Sequence, residues 1–194
     1  MSHFFAYLSR MKFIQRWGLM RNVSRENIQE HSLQVAMIAH NLAIVRNRFY
    51  GGSVDPQRVL LLAVYHEASE VITGDLATPI KYFNPKIKKA YKDIEKVANK
   101  RLLAMLPDAL QPEYESVLFP IPEDEDHWRI VKEADKLCAY LKCLEELKAG
   151  NKEFSKAERT ICRELEQMKA EHPEVAYFME QFLPSFQLTL DELN

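Results

Sequence analysis

Glycine is scarce in this chain, with five in 194 residues, while Ala, Leu, Glu and Lys are plentiful, so helix is favoured throughout. No stretch of convincing length alternates with the period of two that a half-buried strand needs, no unit repeats at 20–50 residues, and no segment is of low complexity. The net charge of -2 removes any global electrostatic case for a nucleic-acid polymer or a membrane surface. Cysteine is also sparse. Cys138, Cys143 and Cys162 are an odd number, two of them share one apolar helical segment, and no metal-type C-x-x-C occurs. Reduced thiols in a reducing compartment fit better than a disulfide framework. The run Val59–Tyr65 is far short of the ~20 residues of a membrane span. Met1-Ser2-His3-Phe4-Phe5 lacks the charge pattern of a signal peptide, so the expected location is cytoplasmic.

What is present suits one compact all-α domain over 1–194, with 47% hydrophobic residues to fill a core. Helical spacing covers residues 3 to 16, and residues 19 to 27 read as a loop. A long helix follows from about Ile28 to Asn47. On it Leu33, Ala36, Met37, His40 and Ile44 form one stripe, and His31, Val35, Ile38 and Leu42 continue the apolar arc, so His31 faces inward. Asp55-Pro56 and Asn84-Pro85 are cap-and-start pairs. They open helices expected to reach about Val71 and about Met105. Further helices are expected over 109–118, from Asp126 to Lys148, from Ser155 to about Glu171 behind a Ser155…Glu158 capping box, and between Pro173 and Pro184.

The chemistry-bearing stretch is Tyr65-His66-Glu67-Ala68-Ser69-Glu70-Val71-Ile72-Thr73-Gly74-Asp75, with one imidazole and three carboxylates at the end of an apolar rod. His31 and Asp135 lie on other helical segments and could join it. Two imidazoles and two carboxylates, His31, His66, Glu67 and Asp135, are a donor set for a divalent ion that activates water, and a helical bundle can converge such side chains. Taken singly they are weaker: a core histidine is usually hydrogen-bonded and structural, and Glu67 and Glu70 could be a solvated helix end. Asp135 is harder to dismiss, because a carboxylate inside an apolar stripe needs a cation.

The spacing His31, His66 with an acidic neighbour, then Asp135, resembles the H…HD…D pattern of HD-domain phosphohydrolases. Glu30-His31-Ser32-Leu33-Gln34-Val35-Ala36, Tyr65–Val71, Thr73–Tyr82, Arg16-Trp17 and Cys138–Leu147 are similar more narrowly to the bacterial 5'-deoxynucleotidases of that superfamily. The resemblance implies an all-α HD-domain bundle of about six to eight helices and a homodimer. It implies hydrolysis of deoxyribonucleoside 5'-monophosphates, with ribonucleotides discriminated against. It also implies one divalent metal, with cobalt, manganese or copper supporting activity. Carried over by motif, His31, His66, Glu67 and Asp135 would hold the metal. Arg16 would orient the phosphate and Trp17 would line the sugar pocket. Glu70 and Asp75 would serve as acid–base or water-positioning carboxylates. Arg16, Trp17, His31, Asp75, Leu76, Ala77, Thr78 and Asp135 would contact the nucleotide.

One departure is diagnostic. Relatives carry His-Asp where this chain has His66-Glu67. The side chain is longer by ~1.5 Å, where catalytic constellations tolerate roughly 0.5 Å. A different rotamer, a weaker site and a metal-free site are all open, and a silent nucleotide-binding protein is the rival reading. Another HD substrate, a guanosine polyphosphate or cyclic nucleotide, is opposed by Arg16-Trp17 and Gly74-Asp75-Leu76. Ala77, where relatives often have proline, should loosen the substrate loop modestly.

Overall fold

The computed structural model describes residues 1–81 and 83–193, with Thr78 described in its backbone only. The helices are α1 (Phe4–Leu8), α2 (Ile28–Phe49), α3 (Pro56–Tyr65), α4 (Glu70–Thr73), α5 (Thr78–Lys81), α6 (Pro85–Leu103), α7 (Gln111–Leu118), α8 (Glu125–Lys148), α9 (Ser155–Glu171) and α10 (Pro173–Gln181). Among the described residues there is no strand, only an isolated antiparallel bridge between Gln15 and Asn27. None of the described helices is long and apolar enough to cross a membrane.

Most of the expected boundaries hold, because their caps are real. The Asp55 side chain accepts from the Gln57 N–H, and Asn84 accepts from the Ile87 N–H, each beside a proline at the first helical position. Three expectations are corrected. The first helix stops at Leu8 and tightens into a 3-10 turn over Ser9–Phe13. The capping box sits at Asn27…Glu30, at the start of α2, whereas Ser155 donates instead to the Lys152 carbonyl and caps nothing. On α2, Leu33, Met37 and Ile44 of the expected stripe are exposed while its Ala36 is buried, and the arc through His31, Val35, Ile38 and Leu42 is the buried one.

Two apolar clusters bracket the chemistry-bearing turn. The larger joins α2, α3 and α8 through Val35, Ala39, Leu42, Val59, Leu62, Ala63, Ala134 and Leu137, with α9 and α10 packed alongside. The smaller holds Phe4, Ala68, Leu102, Leu106 and Leu118. Ala63 therefore anchors the end of α3 in one cluster, and Ala68 anchors the following turn in the other.

Buried ion pairs tie the loops down. Glu146 on α8 accepts from the backbone N–H groups of Val23 (2.8 Å) and Ser24 (3.1 Å) and from Asn151 Nδ2 (2.8 Å), and it pairs with Lys142, which also donates to the Ser24 carbonyl. This clamp fixes the 17–27 loop against α8.

A second group joins α8 to α10. Arg129 Nη1 lies 2.9 Å from Glu133 Oε1, 3.0 Å from His172 Nδ1 and 3.4 Å from Glu174 Oε1. Arg46 Nη1 donates to Glu174 Oε1 at 2.9 Å. Burial first, and then the charge of Glu174, push the Glu133 carboxyl up to about 7 against the pull of Arg129 and Arg46. A folded pKa above the unfolded one contributes stability that is complete below the unfolded value near 4.5 and is lost as pH rises through about 7. Glu133→Gln should therefore flatten the stability profile and gain up to ~3 kcal/mol at pH 8. Thermal denaturation at pH 5 and pH 8 checks this; parallel curves for the two proteins would refute it.

Candidate metal centre and its surroundings

α3 was expected to run to Val71, but it ends at Tyr65. The chain then closes i→i+3 hydrogen bonds: Ala68 N–H to Tyr65 O at 2.9 Å, Glu70 N–H to Glu67 O at 3.0 Å and Val71 N–H to Ala68 O at 3.3 Å. Ending the helix frees the Ala63 carbonyl, and His66 Nδ1 lies 2.7 Å from it. A carbonyl can only accept, so Nδ1 carries the proton and donates. The lone pair is left on Nε2, the tautomer a metal ligand needs. The Ala63 carbonyl thus both relieves the helix end and sets the imidazole.

His31, in the first turn of α2, is fully buried, and its ring lies 5.4 Å from that of His66. His31 Nε2 is 2.9 Å from Asp135 Oδ1, on α8, and His66 Nε2 is 3.4 Å from Glu67 Oε1. One donor atom from each of His31, His66, Glu67 and Asp135 lies within 4.8 Å of the other three. Both His31 ring nitrogens and His66 Nε2 are buried without completing a hydrogen bond. Buried ring nitrogens left without a partner are costly, and two imidazoles with two carboxylates around one small volume fit a divalent ion. The longer Glu67 side chain does reach the group, which favours the first of the three outcomes left open by its length.

The electrostatics agree. Burial, then the charge of Arg16, lower His31 to about 4, so it is neutral near pH 7 and available as a ligand. Burial works to raise Asp135, but the adjacent His31 ring and the Arg16 guanidinium outweigh it and hold the carboxyl below its ordinary range. Glu67 is likewise held low, because His66, a hydrogen bond with Glu70 and then Arg16 overcome its burial. Glu70 is 4% exposed, with a buried Oε2 lacking a partner. Burial, then the neighbouring Glu67 charge, push it well above the usual carboxylate range.

Arg16 sits beside the group, with Nη2 3.9 Å from Asp135 Oδ1. Trp17 has φ 57°, the left-handed region that a tryptophan avoids, and its ring leans on the buried Phe154 with centroids 5.2 Å apart. Non-glycine residues held there cost on the order of 1–3 kcal/mol and concentrate at functional sites. Asp75 feels Arg16, Glu67 and the Trp17 backbone amide, although burial dominates and raises it. Leu76 and Ala77 follow, half-buried, and the Ala77 carbonyl accepts from Ile80 and Lys81 to open α5. The Thr78 side chain lies outside the described residues.

Sequence reasoning missed Glu26 and Phe154. Glu26 lies in a polar loop stretch and Phe154 in a short turn, so neither had a periodic signal. The group Glu133, His172 and Glu174 also has the makings of an ion site. Arg129 Nη1, within 3.4 Å of all three, already supplies its cation.

Comparison with known proteins follows the same lines. A family model described as 5'-deoxynucleotidase YfbR-like matches residues 3–186. The chain is 56% identical to a 5'-deoxynucleotidase of Vibrio cholerae over 193 residues, covering 100% of this chain and 98% of that protein. It is also 56% identical to the 5'-deoxynucleotidase yfbR of Photorhabdus temperata, with the same coverage. Among solved structures, an HD-domain phosphohydrolase from Listeria innocua superimposes with a TM-score of 0.83 at 24% identity, covering 95% of this chain and 88% of that one. A cyanophage S-2L HD phosphohydrolase, bound to dA and one catalytic Zn2+ ion, gives 0.65 at 19% identity, covering 95% and 96%. At such identities the structures speak to the fold.

Proposed function

The chain belongs to the YfbR-like 5'-deoxynucleotidase family, and from that premise we infer that it hydrolyses deoxyribonucleoside 5'-monophosphates to deoxyribonucleosides and phosphate. It is a phosphoric monoester hydrolase. The observation that carries the site assignment is the convergence of His31, His66, Glu67 and Asp135, with donor atoms within 4.8 Å of one another. These four would hold one divalent ion. When bound, the ion supplies Lewis-acid polarisation and activation of water. The cyanophage S-2L HD phosphohydrolase is bound to one catalytic Zn2+ ion; cobalt, manganese and copper are also suited to a mixed nitrogen–oxygen donor set.

The protein's own groups divide the remaining work. Arg16 presents a planar fork that orients the phosphate. Glu70 accepts or relays the proton of the attacking water, and Asp75 positions it. Trp17, braced by Phe154, fills the space a 2'-hydroxyl would need. Leu76 and Ala77 line the nucleotide. The silent binding protein is not favoured, since Glu67 reaches its partners and relatives at this level of identity are named as 5'-deoxynucleotidases. Residues 1–194 act as one HD-type domain in the cytoplasm. The exposed apolar face of α2 and α3, with Leu33, Met37, Ile44, Leu60, Leu61 and Val64, supports a homodimer.

The deciding experiment is phosphate release from dAMP and AMP by chelated protein, before and after cobalt, manganese or zinc is returned. Turnover of dAMP should appear only with metal and exceed that of AMP by roughly 10–100-fold, the scale on which a pocket rejects an analogue that merely adds a hydroxyl. Equal turnover of the two nucleotides, or full activity after chelation, would overturn the reading.

A further inference from the structure

Glu26 stands where two parts of the site meet. Its Oε1 lies 3.9 Å from His31 Nδ1, and its Oε2 lies 3.6 Å from Arg16 Nε. Its side chain is 14% exposed, and Oε2 and His31 Nδ1 are both buried without a hydrogen-bond partner. The backbone fixes this placement. The Arg16 N–H donates to the Glu26 carbonyl (2.9 Å) and the Ile28 N–H to the Ile14 carbonyl (3.0 Å), around the Gln15–Asn27 bridge. Asn27 then caps α2, and the His31 N–H donates to its carbonyl at 3.1 Å. Glu26 is thus locked in register with Arg16 across the bridge and with His31 in the next helical turn.

The orientation of His31 gives this placement its meaning. Its Nε2 faces Asp135, so Nδ1 is the only ring nitrogen turned toward Glu26. A neutral imidazole that ligates through Nε2 must carry its proton on Nδ1. That proton needs an acceptor, and ligating histidines usually give it to a carboxylate, a carbonyl or a water. His66 solves the problem with the Ala63 carbonyl. For His31, the Glu26 carboxylate is the acceptor at hand, reached by a closure of about 1 Å or through one bridging water. The same carboxylate faces the Arg16 guanidinium, which would otherwise turn wholly toward Asp135.

We propose that Glu26 is a positioning residue of this hydrolase: its carboxylate fixes the His31 ring with Nε2 toward the ion and holds Arg16 at the phosphate. The proposal rests on the function inferred above. Its test is read first as metal affinity of the chelated protein, by competition of cobalt with a chromophoric chelator, and then as kcat and KM for dAMP. Glu26→Ala should weaken cobalt binding by ~10–100-fold with secondary structure unchanged by circular dichroism. Glu26→Gln keeps an acceptor for His31 but no charge for Arg16. It should hold cobalt affinity within about threefold while kcat/KM falls by ~10-fold, the scale on which loss of charge-assisted orientation is felt. Should the alanine variant fail to fold, the glutamine variant decides alone. Wild-type cobalt affinity and kcat/KM in a folded Glu26→Ala, or an unchanged kcat/KM in Glu26→Gln, would overturn the proposal. In either case, wild-type protein that still hydrolyses dAMP with metal leaves the functional reading standing, so the two failures are distinguishable.

Discussion

Glutamine in place of Glu70 is expected to lower kcat on dAMP by ~10²–10⁴-fold, the usual contribution of a general acid–base group, with cobalt still bound. Glu70 is buried, belongs to the first turn after the His66–Glu67 pair, and has an oxygen without a protein partner. Glutamine preserves its volume and one acceptor but cannot take a proton. A Glu70→Gln protein within tenfold of wild type would remove Glu70 from proton transfer. The same variant reports on linkage. In the metal-free protein, burial and the charge of Glu67 keep a proton on Glu70. A cation among the neighbouring donors reverses that local field, so the proton should leave on binding. Cobalt affinity of the wild type should therefore rise with pH between 6 and 8. Titration calorimetry in two buffers of different ionisation enthalpy should show proton release, and Glu70→Gln should lose it.

Alanine in place of Glu146 should have the largest effect on stability, a loss of ~3–5 kcal/mol, or roughly 6–20 °C in Tm for a domain of this size. The residue is almost fully buried, and its removal leaves Lys142 buried and unpaired and the Val23 and Ser24 amides without acceptors. Burial works to raise this carboxyl, but Lys142, the Val23 amide, Asn151 and the Ser24 amide outweigh it and bring it down to about 2. A lowered pKa contributes stability that is present above about 4.5 and lost as pH falls toward about 2, so the wild type should destabilise in acid across that interval and the variant should not. Joint replacement of Lys142 by Met and Glu146 by Leu should recover much of the loss, because no isolated charge remains. Denaturant unfolding of the three proteins checks the order. An alanine variant within 1 kcal/mol of wild type would show that the 17–27 loop does not depend on this clamp.

The all-α class and most helix boundaries were legible because caps are local. Asp55-Pro56 and Asn84-Pro85 act within four residues of themselves, and the structure keeps both. The convergence of His31, His66, Glu67 and Asp135 was legible for another reason: imidazoles and carboxylates on inward arcs of separate helices have few ways to coexist except around a cation. The end of α3 was not legible. Its stop depends on a hydrogen bond from a side chain, His66 to Ala63, and the apolar periodicity runs on past it. The outward face of α2 was misread because Leu33, Met37 and Ile44 look like core by spacing, and spacing does not say what lies opposite. Glu26 was invisible because its role comes from pairing across a one-residue bridge, a relation between positions 15 and 27 that no helical or strand period encodes.

Arg129 carries a consequence for how many ions this chain takes up. Two nests of acid and imidazole each take one carboxylate from α8, Asp135 in one and Glu133 in the other. Of these two groups among the described residues, the one around Glu133 already holds the Arg129 guanidinium. On the proposed reading of one ion per chain, the limit is set by a single long side chain rather than by a shortage of donors. A lineage that lost that arginine would inherit a ready-made second binding place without having to evolve one ligand.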